Sequence, residues 1–384
     1  MSSIAYNKHN SFVVIHSNKK IDKKKLILKI NEIYNTHKLK LTPYEDGIIL
    51  KVLYDLNLEK DSEVTSNHNF SLTQNVVDEI LSLEDTQILR YLFHRYRYEI
   101  FPKNKIIDNY PPYLQIEPSS ICNYRCVFCF MTDPTFNKKE FGFMGTMTLE
   151  MFKRIIDQAE NNIEFISLAS RGEPLACKDI DKMLEYCIGK FLNLKINTNA
   201  SLLNEKKIHS ILKGGVKTLV FSADAADEKS YSKYRVNGEL KTVLKNIDLF
   251  NNIKNKHYKN SKIITRVSGV KFSEEQNFED MQNLWSNYVD QIAFVEYNPW
   301  ENSYDKKPNN IIEPCSDLWR RMFVWWDGVV NPCDVDYKSH LSPANFKEKS
   351  LKDAWLSDEY ESLRKKHLQE KRSEITPCKA CQAI

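Results

Sequence analysis

The sequence predicts an α/β fold in which six parallel strands form a partial, TIM-like (β/α)6 barrel. The main observation is that strand-like and helix-like segments alternate through the middle of the chain. The apolar or β-branched runs typical of strands are residues 113–116, 163–169, 192–198, 218–222, 262–270 and 291–297. The amphipathic segments between them are residues 149–159, 179–190, 205–212, 240–253 and 274–288. Repeated strand–helix units imply parallel strands with right-handed crossovers, and six of them suggest an open barrel.

Two smaller regions flank this barrel. The N-terminal one has a short strand at 11–15, a Lys-rich helix at 21–36, a hairpin around Asp46-Gly47 and helical material at 76–98. A small α+β accessory domain fits these elements, and Tyr110-Pro111-Pro112 is typical of a linker. We therefore predict three domains, at residues 1–110, 111–305 and 306–384.

The composition is that of an ordinary globular protein. Hydrophobic residues make up 42% and charged residues 28% of the 384 residues, which argues against disorder for most of the chain. The net charge of +4 is too balanced to favour a nucleic-acid partner. No segment is typical of a signal peptide or of a membrane span. We therefore expect a cytoplasmic protein, whose nine cysteines are better explained as metal ligands than as disulfides.

Three of these cysteines form the closely spaced run Cys122-x3-Cys126-x2-Cys129. Thiolates at this spacing can bind three irons of a [4Fe-4S] cluster and leave the fourth iron open for chemistry. A zinc knuckle and three unrelated buried thiols are the alternatives. Zinc prefers four ligands, and no nearby histidine completes the triplet, so the spacing favours the cluster.

The spacing of this run, with aromatic Phe128 directly before the last cysteine, resembles the radical S-adenosylmethionine (radical SAM) family. In that family the open iron binds the amino and carboxylate groups of SAM, and one electron from the cluster cleaves SAM to a 5′-deoxyadenosyl radical. The resemblance implies the partial barrel, a SAM-binding [4Fe-4S] cluster on the three cysteines, and a reducing partner such as flavodoxin or ferredoxin.

A second motif follows the second predicted strand. Arg171-Gly172-Glu173-Pro174 is similar to the G-G-E-P motif of the family, with Arg171 in place of the first glycine. The resemblance implies that Glu173 and nearby backbone hydrogen-bond the SAM amino group. Taken alone the motif is a polar turn, and its weight comes from its position at a strand end, where parallel barrels collect their chemistry.

Two further motifs lie at the ends of the third and fourth predicted strands. Asn197-Thr198-Asn199-Ala200 resembles the T-N-A stretch near SAM, and Ser222-Ala223-Asp224 resembles the S-x-D of the family. Arg235 matches an arginine that can clamp the SAM carboxylate. The alternative for the two strand-end motifs is a turn in which the Asn, Ser and Asp side chains hydrogen-bond to the nearby backbone. The alternative for Arg235 is a solvated charge at a helix end. By the resemblance, the residues that bind SAM are Phe128, Gly172, Glu173, Pro174, Asn199, Ser222, Asp224 and Arg235.

Four other cysteines lie near the C-terminus. They are Cys315, Cys333, Cys378 and Cys381. The first two flank Asp327-Gly328, a hairpin signal that brings the ends of its segment together. A structural zinc site is one interpretation of the four. The pattern also resembles the shortened SPASM or "twitch" extension of radical SAM enzymes, and by that resemblance the four thiolates bind one auxiliary [4Fe-4S] cluster.

Two cysteines remain outside both groups. Cys187 lies on the apolar face of a predicted helix, and Cys177 follows the predicted SAM loop. We predict that both pack in the core.

The resemblance implies abstraction of a hydrogen atom from a substrate. Because a second cluster can accept an electron, a two-electron oxidation is favoured. Residues 315–337 resemble SPASM-type proteins of surface-polysaccharide biosynthesis, so we predict oxidation or epimerisation of a sugar or nucleotide-sugar. The alternatives are a maturase for a ribosomally made peptide, with the N-terminal domain reading the leader, and a non-enzymatic metal scaffold. The first elements of that domain do not follow the order of the usual leader-binding module.

Candidate substrate contacts lie after the sixth strand and after Cys333, although each also fits a capping or solvated group. They are Glu296, Tyr297, Asn298, Trp300, Asp334, Asp336 and Tyr337. No residue can be assigned as a catalytic base from the sequence.

Overall fold

The computed structural model describes residues 12–17, 22–62, 69–297 and 303–384. The strands are β1 (Phe12–Ser17), β2 (Tyr113–Ile116), β3 (Arg125–Cys126), β4 (Phe165–Leu168), β5 (Asn193–Thr198), β6 (Val216–Ser222), β7 (Arg235–Val236), β8 (Ile264–Lys271), β9 (Gln291–Glu296), β10 (Arg321–Val324), β11 (Val329–Asn331) and β12 (Ala344–Asn345). The helices are α1 (Lys23–His37), α2 (Pro43–Ser62), α3 (Gln74–Leu81), α4 (Asp85–Lys103), α5 (Leu149–Ala159), α6 (Ile180–Tyr186), α7 (Glu205–Lys213), α8 (Glu228–Tyr234), α9 (Leu240–His257), α10 (Phe278–Trp285), α11 (Leu351–Trp355) and α12 (Asp358–Leu368). In these ranges no helix is both long and apolar enough to cross a membrane.

Ten of these strands form one sheet, in the order β1-β9-β8-β6-β5-β4-β2-β10-β11-β12. The six predicted barrel strands are neighbours in it and pair in parallel, from β2 through β4, β5, β6 and β8 to β9. The partial (β/α)6 barrel is therefore confirmed. The sheet extends further than predicted, because β10 pairs in parallel with β2 and β1 pairs antiparallel with β9.

Successive side chains along a barrel strand point alternately to the core under the helices and to the barrel interior. Leu194 and Ile196 of β5 are buried in the main hydrophobic core, whereas Lys195 and Asn197 are only half-buried. Helix α5 buries Phe152, Ile155, Ile156 and Ala159, a spacing that matches one face of a helix. Cys177 and Cys187 lie in the same core, so their predicted packing role is confirmed.

Helix α10 begins later than its sequence suggests. Ser273 and Gln276 match a capping box, but the helix starts at Phe278, and Asn277 is its N-cap, accepting from the amides of Glu279 and Asp280. The Gln276 side chain still accepts from the Ser273 amide, as in a capping box, but it also donates to Val270 O, so it fixes the loop before the helix.

The predicted hairpin at Asp46-Gly47 is wrong, because both residues lie inside helix α2. Ile48, Ile49 and Val52 follow at helical spacing and are buried in the N-terminal core. Burial of this apolar face outweighs the cost of about 1 kcal/mol for a glycine in a helix interior.

The N-terminal helices pack against the starts of the barrel strands. The Tyr98 ring of α4 lies 5.8 Å from the Tyr113 ring at the start of β2 and 5.3 Å from the Phe165 ring at the start of β4. Asn75 of α3 accepts a hydrogen bond from Arg266, near the start of β8, at 2.5 Å. These contacts lie at the edge opposite to the strand ends that carry the predicted SAM motifs. The domain boundary at residue 110 remains a prediction.

Candidate active site

The carboxyl ends of β2, β4 and β5 bring the predicted motif loops together. The amide of Glu173, after β4, donates to Ile121 O, after β2, at 2.9 Å. A Cβ at Gly172 would lie 2.4 Å from Ser119 O, so the close approach of the two loops requires glycine there. The G-E-P turn therefore forms part of the wall around the cysteine loop.

Each thiol of Cys122, Cys126 and Cys129 receives a hydrogen bond. The amide of Tyr124 donates to Cys122 Sγ at 3.4 Å, and the amide of Met131 donates to Cys129 Sγ at 3.5 Å. The Arg235 guanidinium donates to Cys126 Sγ at 3.8 Å. Such donors and a nearby cation stabilise thiolates, so this donor set fits a [4Fe-4S] cluster with one iron left open.

Burial opposes ionisation of these thiols when no metal is bound. It raises the pKa of Cys122 to about 12, with a further contribution from the Glu173 carboxylate, and it also raises the pKa values of Cys126 and Cys129. Since iron binds thiolates, cluster binding must release protons from this loop.

Arg235 is held beside the cysteine loop by the backbone and by an ion pair. Strands β7 and β3 are antiparallel partners, with Arg235 directly opposite Cys126. Its Nη2 lies 2.5 Å from Asp224 Oδ2, and Asp224 Oδ1 accepts from the amide of Val270 at 2.6 Å. Burial raises the pKa of Asp224, and the Arg235 charge opposes that shift. Asp224 therefore orients Arg235.

Glu173 is buried and binds the end of β5. Its carboxylate accepts from the Asn199 amide at 2.8 Å, from Thr198 Oγ1 at 2.6 Å and from the Leu175 amide at 3.1 Å. The Asn199 side chain in turn donates to Asn123 Oδ1, inside the cysteine loop, at 3.0 Å. Burial raises the pKa of Glu173, and these hydrogen bonds counteract it. Glu173 thus links the two strand ends around the cysteines.

The remaining predicted SAM residues lie at different depths. Phe128 is buried with its ring 5.5 Å from the Phe272 ring, and the Arg235 guanidinium lies 5.8 Å from the Phe128 ring centre. Pro174 begins a short 3₁₀ turn. Ser222 is half-buried at the end of β6, paired with Ser268 of β8.

Arg171 has a role that sequence reasoning missed. It is buried with Glu117, which follows β2, and its Nε and Nη2 donate to the two carboxylate oxygens at 2.7 and 2.6 Å. Its Nη1 donates to Tyr337 O at 2.9 Å, and the guanidinium lies 4.4 Å from the Trp325 ring centre. The replacement of the motif glycine therefore joins the barrel to the C-terminal cysteine region. The available signal was a pair of opposite charges close behind two apolar strands, with Glu117 directly after β2 and Arg171 three residues after β4.

Replacing Arg171 by Met is expected to destabilise the protein strongly. The Glu117 carboxylate would stay buried without its partner, and breaking a buried ion pair in this way costs about 3–5 kcal/mol. Denaturant unfolding followed by circular dichroism measures the loss of unfolding free energy.

Two control variants isolate the buried ion pair. Lys233→Met removes the exposed pair with Glu275 and should cost less than about 1 kcal/mol. The double variant Arg171→Met, Glu117→Met should recover only part of the loss: it leaves no uncompensated charge, but the Arg171 and Trp326 amides lose the carboxylate that accepts from them. A single variant as stable as the wild type would show that the pair contributes nothing to the fold.

The C-terminal cysteines surround one cavity. The hairpin of β10 and β11 is confirmed, with Phe323 opposite Asn331. All four thiols, of Cys315, Cys333, Cys378 and Cys381, line the same cavity. Four thiols on one cavity are a donor set that fits a [4Fe-4S] cluster.

Arg372 holds the C-x2-C turn beside this cavity. Its guanidinium is buried and donates to Cys381 O at 2.9 Å and to Glu313 O at 2.8 Å. The amide of Ala383 donates to Cys381 Sγ at 3.4 Å. Burial raises the pKa of Cys315 to about 11. A fixed cation and an amide donor at the thiols again fit a negatively charged iron–sulfur cluster.

The predicted substrate contacts after Cys333 are mostly engaged within the protein. Asp336 accepts from Tyr304 OH and from the His340 and Leu341 amides, at 2.8–3.0 Å, and burial raises its pKa to about 7. Tyr337 is fully buried, and its hydroxyl donates to Asp133 at 2.7 Å. These contacts match the capping alternative.

The other predicted substrate contacts are less defined. Asp334 is half-buried, and it lies near enough to Arg321 to affect the pKa of that residue. The ring of Tyr297 lies 5.0 Å from that of Phe272. Asn298, Trp300 and the side chain of Glu296 lie outside the described residues.

Two protein-family models match this chain. The family model of the radical SAM superfamily matches residues 116–283, and that of the SPASM iron-sulfur cluster-binding domain matches residues 315–382. GTP 3′,8-cyclase of Clostridium botulinum is 29% identical over 216 residues, which are 54% of this chain and 64% of that protein. GTP 3′,8-cyclase of Campylobacter lari is 26% identical over 199 residues, 50% of this chain and 58% of that protein.

The chain thus covers less than two thirds of the length of these curated relatives. The crystal structure of Streptococcus suis SuiB bound to precursor peptide SuiA matches with a TM-score of 0.55 at 19% identity, over 95% of this chain and 87% of that one, which shows a shared fold. The cofactors implied by the two matched domains are SAM with its [4Fe-4S] cluster, and auxiliary iron–sulfur clusters. This chain therefore belongs to the radical SAM superfamily and carries a C-terminal SPASM domain.

Proposed function

We propose that this enzyme abstracts a hydrogen atom from a sugar or nucleotide-sugar and oxidises or epimerises it in surface-polysaccharide biosynthesis. Cys122, Cys126 and Cys129 hold the SAM-binding [4Fe-4S] cluster, and the four C-terminal cysteines hold one auxiliary [4Fe-4S] cluster. Together with SAM and an electron from a reducing partner, the first cluster supplies the 5′-deoxyadenosyl radical. The substrate lies between the two cysteine sites.

The observation that carries this proposal is the direct contact between those sites. Arg171, beside the SAM loop, donates to Tyr337 O, four residues after Cys333. The Tyr337 ring stacks on Phe130, the residue after Cys129, with ring centres 5.1 Å apart. A substrate bound beside this aromatic contact is close to both sites. The auxiliary cluster can therefore accept the electron that remains on the substrate after hydrogen abstraction.

The position of the N-terminal helices supports a small substrate over a peptide. Their contacts with Tyr113, Phe165 and Arg266 lie at the starts of the barrel strands. The predicted SAM residues lie at the opposite ends of the strands. The described N-terminal helices therefore pack at the far edge of the barrel, and this position favours a substrate that reaches the cysteine loop without their help.

The test is transfer of deuterium into 5′-deoxyadenosine. Reconstituted, reduced protein is incubated anaerobically with SAM and with deuterated sugars, nucleotide-sugars or peptides, and mass spectrometry follows the label. Transfer from a sugar or nucleotide-sugar supports the proposal. Transfer only from a peptide would replace it with the maturase alternative, and iron-loaded protein that never cleaves SAM would indicate a metal scaffold.

Glu173→Gln and Asp224→Asn are expected to weaken SAM binding without removing iron. Both carboxylates organise the strand ends around the cysteine loop, and neither is an iron ligand. Loss of a charge-assisted hydrogen bond costs about 1.5–3 kcal/mol, or roughly one to two decades in affinity. Equilibrium binding of SAM to the reconstituted protein measures the effect.

Asp227→Asn is the matched control for these variants. Asp227 caps helix α8 three residues after Asp224 and is exposed at the protein surface, so this change should leave SAM affinity unaltered. Unchanged affinity in both Glu173→Gln and Asp224→Asn would remove the strand-end motifs from the SAM site. Loss of iron in either would instead assign that carboxylate to cluster assembly.

A further inference from the structure

His367, on helix α12, lies in the cavity of the four C-terminal cysteines and is fully buried. No sequence pattern singles it out, because it is 11 residues from Cys378 and part of no motif. Apolar side chains such as Leu318, Leu341 and Leu363 form much of the remaining lining. A polar ring in such a cavity needs a partner.

One ring nitrogen of His367 has a partner and the other has none. Nδ1 accepts a hydrogen bond from the amide of Cys315 at 3.3 Å. A nitrogen that accepts carries no proton, so the neutral ring bears its proton on Nε2. Nε2 is buried and has no hydrogen-bond partner among the described residues. The Cys315 amide therefore fixes the tautomer and leaves one N–H donor unused.

We infer that His367 Nε2–H donates a hydrogen bond to a sulfur of the auxiliary cluster, either a cysteine thiolate or an inorganic sulfide. The inference rests on the proposed assignment of the four cysteines to that cluster. Cysteine supplies all four iron ligands, so His367 acts on the cluster without binding iron. Histidine, and not a smaller amide, is needed to accept from the Cys315 backbone and to donate to the cluster at the same time.

The hydrogen bond has a defined consequence for electron transfer. One-electron reduction adds negative charge to the cluster sulfurs, and a donor aimed at a sulfur stabilises the reduced form more than the oxidised form. His367 therefore raises the reduction potential of the auxiliary cluster. A higher potential makes the cluster a better acceptor for the electron that hydrogen abstraction leaves on the substrate.

Two substitutions separate this role from packing. Asn at position 367 places an acceptor near the Nδ1 position and keeps the Cys315 contact, but it has no donor at the Nε2 position. Gln places an amide N–H near the Nε2 position. Iron content is measured first, and the midpoint potential of the auxiliary cluster is then determined by redox titration followed by electron paramagnetic resonance on the reconstituted protein.

The expected result is a more negative midpoint potential for His367→Asn, at full iron content, and a potential near that of the wild type for His367→Gln. An unchanged potential in an iron-loaded His367→Asn variant would overturn the inference while leaving the cluster assignment intact. Loss of about half of the iron in His367→Asn would also overturn it, since it would make His367 a structural or ligating residue. Wild-type protein with zinc in place of the second cluster would instead defeat the assignment itself.

Discussion

Replacing Cys122, Cys126 and Cys129 together by alanine is expected to lower the iron content from about eight atoms to about four, counted as four per cluster, and to abolish SAM cleavage. The three thiols lie in one loop, each with a hydrogen-bond donor, and the C-terminal thiols line a separate cavity. Loss of the first site should therefore leave the second filled. Iron determination and chromatographic detection of 5′-deoxyadenosine measure both effects.

Cys187→Ala is the matched control. Cys187 is a buried thiol at the end of helix α6 and belongs to the main hydrophobic core. Its loss should leave iron content and SAM cleavage unchanged and cost at most a few kcal/mol of stability. A triple variant that still cleaved SAM would refute the assignment of the first cluster. One zinc and about four irons in the wild type would refute the auxiliary [4Fe-4S] cluster.

The features that the sequence reveals well are local. The spacing of the cysteines, the strand–helix alternation and the Asp327-Gly328 turn are each encoded within a few neighbouring residues. The structure contains the six predicted strands and the predicted turn, although helix α10 begins later than predicted. The order of the six barrel strands also follows from local pattern, because right-handed crossovers leave few ways to arrange consecutive strand–helix units.

The features that the sequence hides depend on distant residues. Glu117 and Arg171 are 54 residues apart, and only the parallel pairing of β2 with β4 brings them together. The hairpin predicted at Asp46-Gly47 failed because the apolar face of α2 is buried against other N-terminal helices. Strand β1 joins the sheet at β9, at the far end of the barrel sequence, so no local pattern could assign it to the barrel.

The same long-range contacts determine the result of removing the N-terminal region. A chain that starts at Asn109 is expected not to fold. It loses strand β1 from the edge of the sheet and exposes Tyr113, Phe165 and Leu192, which are buried in the N-terminal core. Exposing each such side chain costs about 1.5–3 kcal/mol, and the sum approaches the total stability of roughly 5–15 kcal/mol of a typical domain.

The truncated chain also loses polar contacts at the same surface, and this loss lowers its stability further. Glu164 is buried and would lose its ion pair with Arg90, and Gln291 would lose its hydrogen bond with Asp78. The expected product is therefore insoluble, or lacks the cooperative unfolding transition of the full chain. Circular dichroism, thermal unfolding and iron content of the refolded fragment measure this. A soluble fragment with two clusters and a cooperative transition would show that the N-terminal region is a separable accessory domain.

Because truncation is expected to remove the fold, a test of substrate recognition by the N-terminal region requires a milder change. Leu50 and Tyr54 lie one turn apart on α2 and are exposed, at 48% and 67%. The variant Leu50→Ser, Tyr54→Ser should keep the fold and both clusters, since neither side chain is in the core. If the substrate is a sugar held at the barrel mouth, the variant should turn it over with the same kcat and the same KM for the substrate as the wild type. A rise in KM with kcat retained would mean that remote binding energy from this face contributes to substrate capture, as a docked peptide requires, and would overturn the sugar proposal.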